Sequence, residues 1–170
     1  MGGCGSGVWY RYNKRTTTAE CLSIDVNRLA RDGALRAECA GVVSWTNRIG
    51  SLTAALGFEV IDTDRGRLLC LSYRLNGKQD VFVPIRVQAT EPHFGGLRWW
   101  FTCPMITNGK PCNRRVGKLY LRRYPGCRAC HNLTYESCQE SKAAKDFRRE
   151  LGLPIRFPSW FGNPSRTMTE

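Results

Sequence analysis

Histidine is scarce in this chain: His93 and His131 are the only two, and no apolar run approaches the ~18 residues needed to cross a bilayer. Carboxylates are thin where they would matter, since residues 97–170 carry 5 Asp/Glu against 14 Lys/Arg. These shortages weigh against catalysis. No paired acids stand at two-metal spacing, no Ser–His–Asp set is suggested, and no glycine loop opens a helix to cradle phosphate. A nuclease on a cysteine scaffold would have to use His131 and Glu136 of "CHNLTYE", so the enzyme reading is set behind a binding role. The N-terminal stretch lacks the apolar core of a signal peptide, so the expected location is the cytoplasm, with no membrane partner expected. Its "MGGCGS" start fits a lipidation pattern, but a glycine-rich arm contains that pattern by composition alone.

Basic charge and cysteine are what the chain does have. The net charge is +12. Residues 1–96 contribute 12 − 9 = +3 and residues 97–170 contribute 14 − 5 = +9. A basic half on a near-neutral half points to a polyanionic partner, most simply nucleic acid. Nine cysteines in a chain expected to stay reduced favour metal ligation over disulfides wherever the spacing fits.

Along the chain, residues 1–15 read as a flexible Gly-rich, basic arm. Thr17 and Glu20 have capping-box spacing, and Leu22, Val26, Leu29 and Ala30 recur at helical spacing before Gly33, which predicts one amphipathic helix. The period then changes to two, predicting strands at Val42–Thr46, Leu52–Ile61, Arg67–Leu75 and Val81–Ala89, with "NGK" as a hairpin turn. "EPHFGG", residues 91–96, marks a boundary. The expected fold class is α+β: an N-terminal helix on an antiparallel meander (16–96), a ribbon (97–131), a basic amphipathic helix (132–152) and an extended aromatic, proline-rich tail (153–170).

The ribbon follows from four cysteines in two unequal pairs. Cys127 and Cys130 have the two-residue spacing that aims both thiolates of a tight turn at one ion; Cys103 and Cys112 have eight residues between them. The insert "MITNGK" contains Asn108-Gly109, so it can form a small hairpin that returns Cys112 to the metal, and lengthening a loop costs little entropy. "RRVGKLYLRRY" alternates as a β-hairpin between the pairs. One structural Zn2+ held by Cys103, Cys112, Cys127 and Cys130 is the expected cofactor. His131 or Cys138 can substitute for Cys103 or Cys112 in that set. "CRACH" also matches haem attachment, which requires export, and a redox pair at Cys127–Cys130 lacks a surrounding strand–helix pattern.

"HFGGLRWWFTCP", "RRVGKLYL" and "CRACHNLTYES", with the "GGCGSG" start and "TTTAECLSIDVNRL", resemble a family of small bacterial and phage- or mobile-element-associated zinc-ribbon proteins. The resemblance covers most of residues 2–150. In that family the first knuckle is often a short CP-x-C or carries no cysteines, and Cys103 and Cys112 correspond to it in stretched form. The resemblance implies a ribbon and supplies no activity.

The function expected from the residues is phosphate binding by a basic face, through Arg114, Arg115, Lys118, Arg122, Arg123 and Arg128 on the ribbon and Lys142, Lys145, Arg148 and Arg149 on the following helix. Trp99, Trp100, Tyr120 and Tyr124 are candidates for base stacking, although core packing accounts for them more simply. The alternative is a phage or mobile-element factor that docks on a host protein or nucleoprotein complex.

Overall fold

The computed structural model describes residues 15–47, 49–139, 146–147, 149–152 and the backbone of Pro164–Thr167. The chain is mostly β, a curled antiparallel sheet, and this overturns the α+β expectation with a helix at each end. At the N-terminal end, Thr18–Glu20 is a single 3-10 turn. The Glu20 carboxylate accepts from the Thr17 N–H at 3.2 Å, so the capping-box spacing is used, but on a turn rather than a long helix. β1 (Leu22–Asp25) follows, and then α1 (Val26–Arg31), six residues long. The Asp25 side chain accepts from the Asn27 N–H at 2.9 Å and caps α1, eight residues after Thr17, where the capping-box spacing would have begun a helix. Helical spacing of Leu22, Val26 and Leu29 also fits a strand that runs straight into a short helix, and tertiary pairing of β1 decides between them.

The four strands of the meander lie where alternation places them: β2 (Ala40–Thr46), β3 (Leu52–Thr63), β4 (Gly66–Leu75) and β5 (Gln79–Thr90). Leu69 pairs with Ile85, Leu71 with Val83 and Tyr73 with Val81, so one face of the β4–β5 ladder is apolar over three consecutive rungs. The turn is the three residues Asn76–Lys78, and Asn76 and Gly77 take φ of 51° and 67°, the positive values that Asn and Gly adopt most readily. Pro84 lies within β5, but β6 (Arg98–Thr102) pairs only with Val87–Thr90. At Pro84 the sheet continues on the β4 side alone, so β5 is an edge strand there, the setting in which a strand proline is tolerated.

"EPHFGG" is therefore a turn within one sheet, joining β5 to β6. The insert forms the small hairpin β7 (Ile106–Thr107) and β8 (Lys110–Pro111), with Asn108 and Gly109 at φ of 52° and 72°. β9 (Arg115–Val116) and β10 (Lys118–Leu121) do not pair with each other as a ribbon hairpin would. β9 extends the main sheet beside β6, while β10 pairs with β1 and with β11 (Pro125–Gly126). The physical reason is burial. Val116 packs at the edge of the meander's core and Leu119 is fully buried in it, and no two-stranded hairpin could bury both. The main sheet runs β12-β2-β3-β4-β5-β6-β9, where β12 (Pro164–Thr167) adds to β2 at the far edge.

A single cluster gathers Trp45, Phe58, Leu69, Leu71 and Ile85 from the sheet, Phe101 from β6, Val26 and Leu29 from α1, and Ile24 and Leu119 from the β1–β10 pair. In place of the start of the expected C-terminal helix, Thr134 makes an isolated bridge with Thr17 and Glu136–Cys138 is a 3-10 turn. Residues 140–145 and 148 lie outside the described residues, as do the arm up to residue 14 and the tail anchors Phe157, Trp160 and Phe161. No helix among the described residues is long and apolar enough to cross a membrane.

Candidate metal centre and basic surface

Two turns bring the four cysteines together. The first starts where β6 ends: the Cys103 N–H donates to the Arg114 carbonyl at 2.9 Å, and the Cys112 N–H donates to the Met105 carbonyl at 2.9 Å. Those two bonds close the β7–β8 excursion at its base, so the eight-residue gap behaves as a knuckle with a hairpin on it. The second is Cys127–Cys130, where the His131 N–H returns to the Cys127 carbonyl at 3.2 Å. The four Sγ atoms lie within 4.8 Å of one another, and this cluster could hold a metal ion. Cys103–Cys130 and Cys112–Cys127 are both separated by 3.9 Å. A tetrahedron with metal–sulfur bonds of about 2.3 Å has edges of about 3.8 Å, so the spacing suits one ion and is far too long for disulfides.

The surroundings act on the cluster's thiols in opposite directions. The Cys127 N–H points at the Cys103 Sγ at 3.3 Å, and the Cys130 N–H at the Cys127 Sγ at 3.5 Å. Cys103 and Cys127 are 1% and 2% exposed, so half of the cluster is shielded from water. Burial pushes the metal-free Cys103 thiol up to about 12, against the pull of the Met105 and Cys127 backbones. Burial also raises Cys127, but the Cys130 N–H and the thiols of Cys130, Cys103 and Cys112 outweigh it and bring this thiol below its ordinary value.

His131 and Cys138 are not among the four clustered ligands. The His131 Nε2 instead lies 3.1 Å from the carbonyls of Tyr120 and Tyr124, bracing the turn before β11. Burial, and then Arg122, push its pKa down, while the two carbonyls oppose them. Gly126 was not singled out by sequence. A Cβ there would lie 2.6 Å from the Met105 side chain and 2.7 Å from the His131 Nε2, so only glycine lets the two knuckles close on each other. Thr107 also escaped notice: its hydroxyl, on the insert hairpin, sits 3.8 Å from the Cys130 Sγ. A bare threonine beside "NG" carries no signal that it turns toward a distant cysteine.

The expected basic face divides into engaged and free side chains. Lys118 lies 3.3 Å from Asp25. Arg128 donates to the Leu133 carbonyl at 3.2 Å and stacks 4.9 Å over Tyr135. Arg149 is 3.8 Å from Asp146. Arg123 lies 5.7 Å over the ring of Tyr124. Arg114, Arg115 and Arg122 are exposed and make no side-chain hydrogen bond or ion pair among the described residues. Lys142, Lys145 and Arg148 lie outside the described residues.

The aromatic candidates separate in the same way. Tyr120 is buried, and Trp99 packs on the core with Arg67 at 5.6 Å. Trp100 is tied by its N–H to the Thr90 hydroxyl at 3.0 Å and covered by Arg98 at 4.3 Å. Tyr124 is the exposed one. The chain matches no protein-family model, no curated protein and no solved structure.

Proposed function

We propose that this protein binds nucleic acid through phosphate contacts, and that a structural zinc ion in the four-cysteine cluster fixes the surface that makes them. The observation that carries the proposal is the set of exposed arginines without carboxylate partners, Arg114, Arg115 and Arg122, on segments whose positions depend on the knuckles. Arg114 offers its carbonyl to Cys103, so its backbone is fixed by the metal centre itself. Cations held in this way neutralise phosphates without first breaking internal ion pairs, and the counterions released make affinity fall steeply with salt.

Zinc is the metal that fits best. Four thiolates at tetrahedral spacing suit zinc, which has no redox chemistry to expose the buried sulfurs to, and a set with no open position supports structure rather than catalysis. The ion would supply no reaction step; it would hold two turns that have little core of their own.

Docking on a host or phage protein has one observation in its favour: Phe94 and Leu97, in the β5–β6 turn, are 97% and 58% exposed. Zinc-loaded protein and the Arg114→Ala/Arg115→Ala variant, assayed against single- and double-stranded DNA and RNA, separate the two. The nucleic-acid proposal expects weaker binding in the variant. Equal binding by both proteins, or binding that ignores moderate salt, would contradict it.

A further inference from the structure

A second basic feature lies away from the cysteines, between the meander and the turn after β10. A cavity of about 540 Å³ opens there, lined by Leu75, Asn76, Lys78, Gln79, Arg122 and Arg123. Only one of its six residues is apolar. Five of the six carry a polar or charged group that a hydrated anion could meet, Lys78, Arg122 and Arg123 among them. No carboxylate lines it. Asp80, the nearest in sequence, is held at 2.8 Å by Arg74.

The walls are fixed. The β4–β5 turn closes through the Lys78 N–H to the Leu75 carbonyl at 3.1 Å, and Leu75 pairs with Gln79. Opposite it, the Tyr73 hydroxyl donates to the Arg123 carbonyl at 2.8 Å and ties the 122–124 turn to β4. Three cations therefore line one cavity whose two walls are joined by the Tyr73 hydroxyl. Lys78 and Arg122 have no ion-pair partner among the described residues. Like charges gathered by rigid walls raise the local potential, and an anion entering between them relieves it.

We propose that this cleft is a phosphate-binding site, with Lys78, Arg122 and Arg123 as its cations. If the nucleic-acid function proposed above holds, its ligand is a backbone phosphate, and the exposed Tyr124 beside Arg123 stands where an unpaired base could stack. Lys78 is then a contact from the meander half, which makes the interface span both halves of the chain.

The test uses the full zinc-loaded chain with two probes: a 20-nucleotide single strand, and inorganic pyrophosphate followed by amide chemical shifts. Two exposed-site variants, Lys78→Glu and Arg122→Ala/Arg123→Ala, are compared after confirming unchanged thermal unfolding. The expected result is about tenfold weaker strand binding in each variant, with a salt slope shallower by about 1 for Lys78→Glu and about 2 for the double variant. Pyrophosphate should shift the amides of Gly77, Lys78, Arg122 and Arg123. Those shifts without any strand binding would keep the cleft, assign it to a free phosphate compound, and overturn the nucleic-acid function. Weaker strand binding in the variants without the shifts would assign it to the strand backbone alone. Strand binding unchanged in both variants, with no shifts in the cleft, would overturn the cleft and leave the nucleic-acid function standing.

Discussion

Removing a zinc ion held as proposed by the four cysteines should lower stability by an amount that the energetics of structural zinc sites bound. Structural zinc sites provide about 10–16 kcal/mol of apparent binding free energy. At about 1 µM free zinc, about 8 kcal/mol of that is spent on concentration, leaving about 2–8 kcal/mol to stabilise the fold. The loss should not unfold the chain completely. Phe101 and Leu119, each 0% exposed, anchor β6 and β10 in the main cluster whether or not the knuckles are closed. Each kcal/mol moves the melting temperature of a domain this size by about 2–4 °C, so chelation should lower it by at least about 4 °C. Circular dichroism melts of wild type and Cys127→Ser, each with and without chelator, provide the assay. Chelated wild type should melt near Cys127→Ser, and that variant should ignore chelator. A wild-type melt that chelator leaves unchanged, or full zinc retention in Cys127→Ser, would refute the reasoning.

Four further outcomes are expected. Zinc affinity should fall as pH is lowered, because four thiols must lose protons to bind the ion, and competition titrations with a chromophoric chelator at several pH values will read this. Gly126→Ala should destabilise by about 1–3 kcal/mol and weaken zinc retention as well, since the new methyl group displaces Met105 or His131; denaturant melts and metal analysis check both effects. Leu119→Ala should cost about 2–5 kcal/mol by urea unfolding, the penalty of a fully buried site, whereas a freestanding ribbon hairpin would lose far less. Asp25→Ala should cost about 0.5–2 kcal/mol through the lost cap on α1, and high salt should not mask that loss as it would if the exposed Lys118 pair were the main contribution.

The meander was legible because alternation, as from Leu69 to Leu75 and from Val81 to Val87, has few other solutions. The pairing of Leu69, Leu71 and Tyr73 with Ile85, Val83 and Val81 follows from the hairpin turn between them. The gathering of Cys103, Cys112, Cys127 and Cys130 was legible for the same kind of reason, since turn geometry is a local property. Long-range choices were not. Nothing within "LSID" says that it pairs with "KLYL" almost a hundred residues later, and once it does, the helical spacing around it yields one short helix. "RRVGKLYL" has hairpin alternation, but Gly117 sends its two arms to different sheets, a decision made by the core that each arm can reach. Composition also misled on charge. Lys118 and Arg128 count toward the basic half, yet each is engaged within the fold. Lys78, from the near-neutral half, reaches a cleft with Arg122 and Arg123 instead.

The central claim is that a metal-fixed basic surface binds nucleic acid, and salt-titrated binding of zinc-loaded protein tests it most directly. With Arg114, Arg115, Arg122 and Arg123 engaged on phosphates, log affinity for a duplex should fall against log salt with a slope of about −3 to −4, and chelated protein should show a shallower slope and weaker binding. A slope near zero, or zinc-loaded and metal-free protein binding alike, would contradict the account.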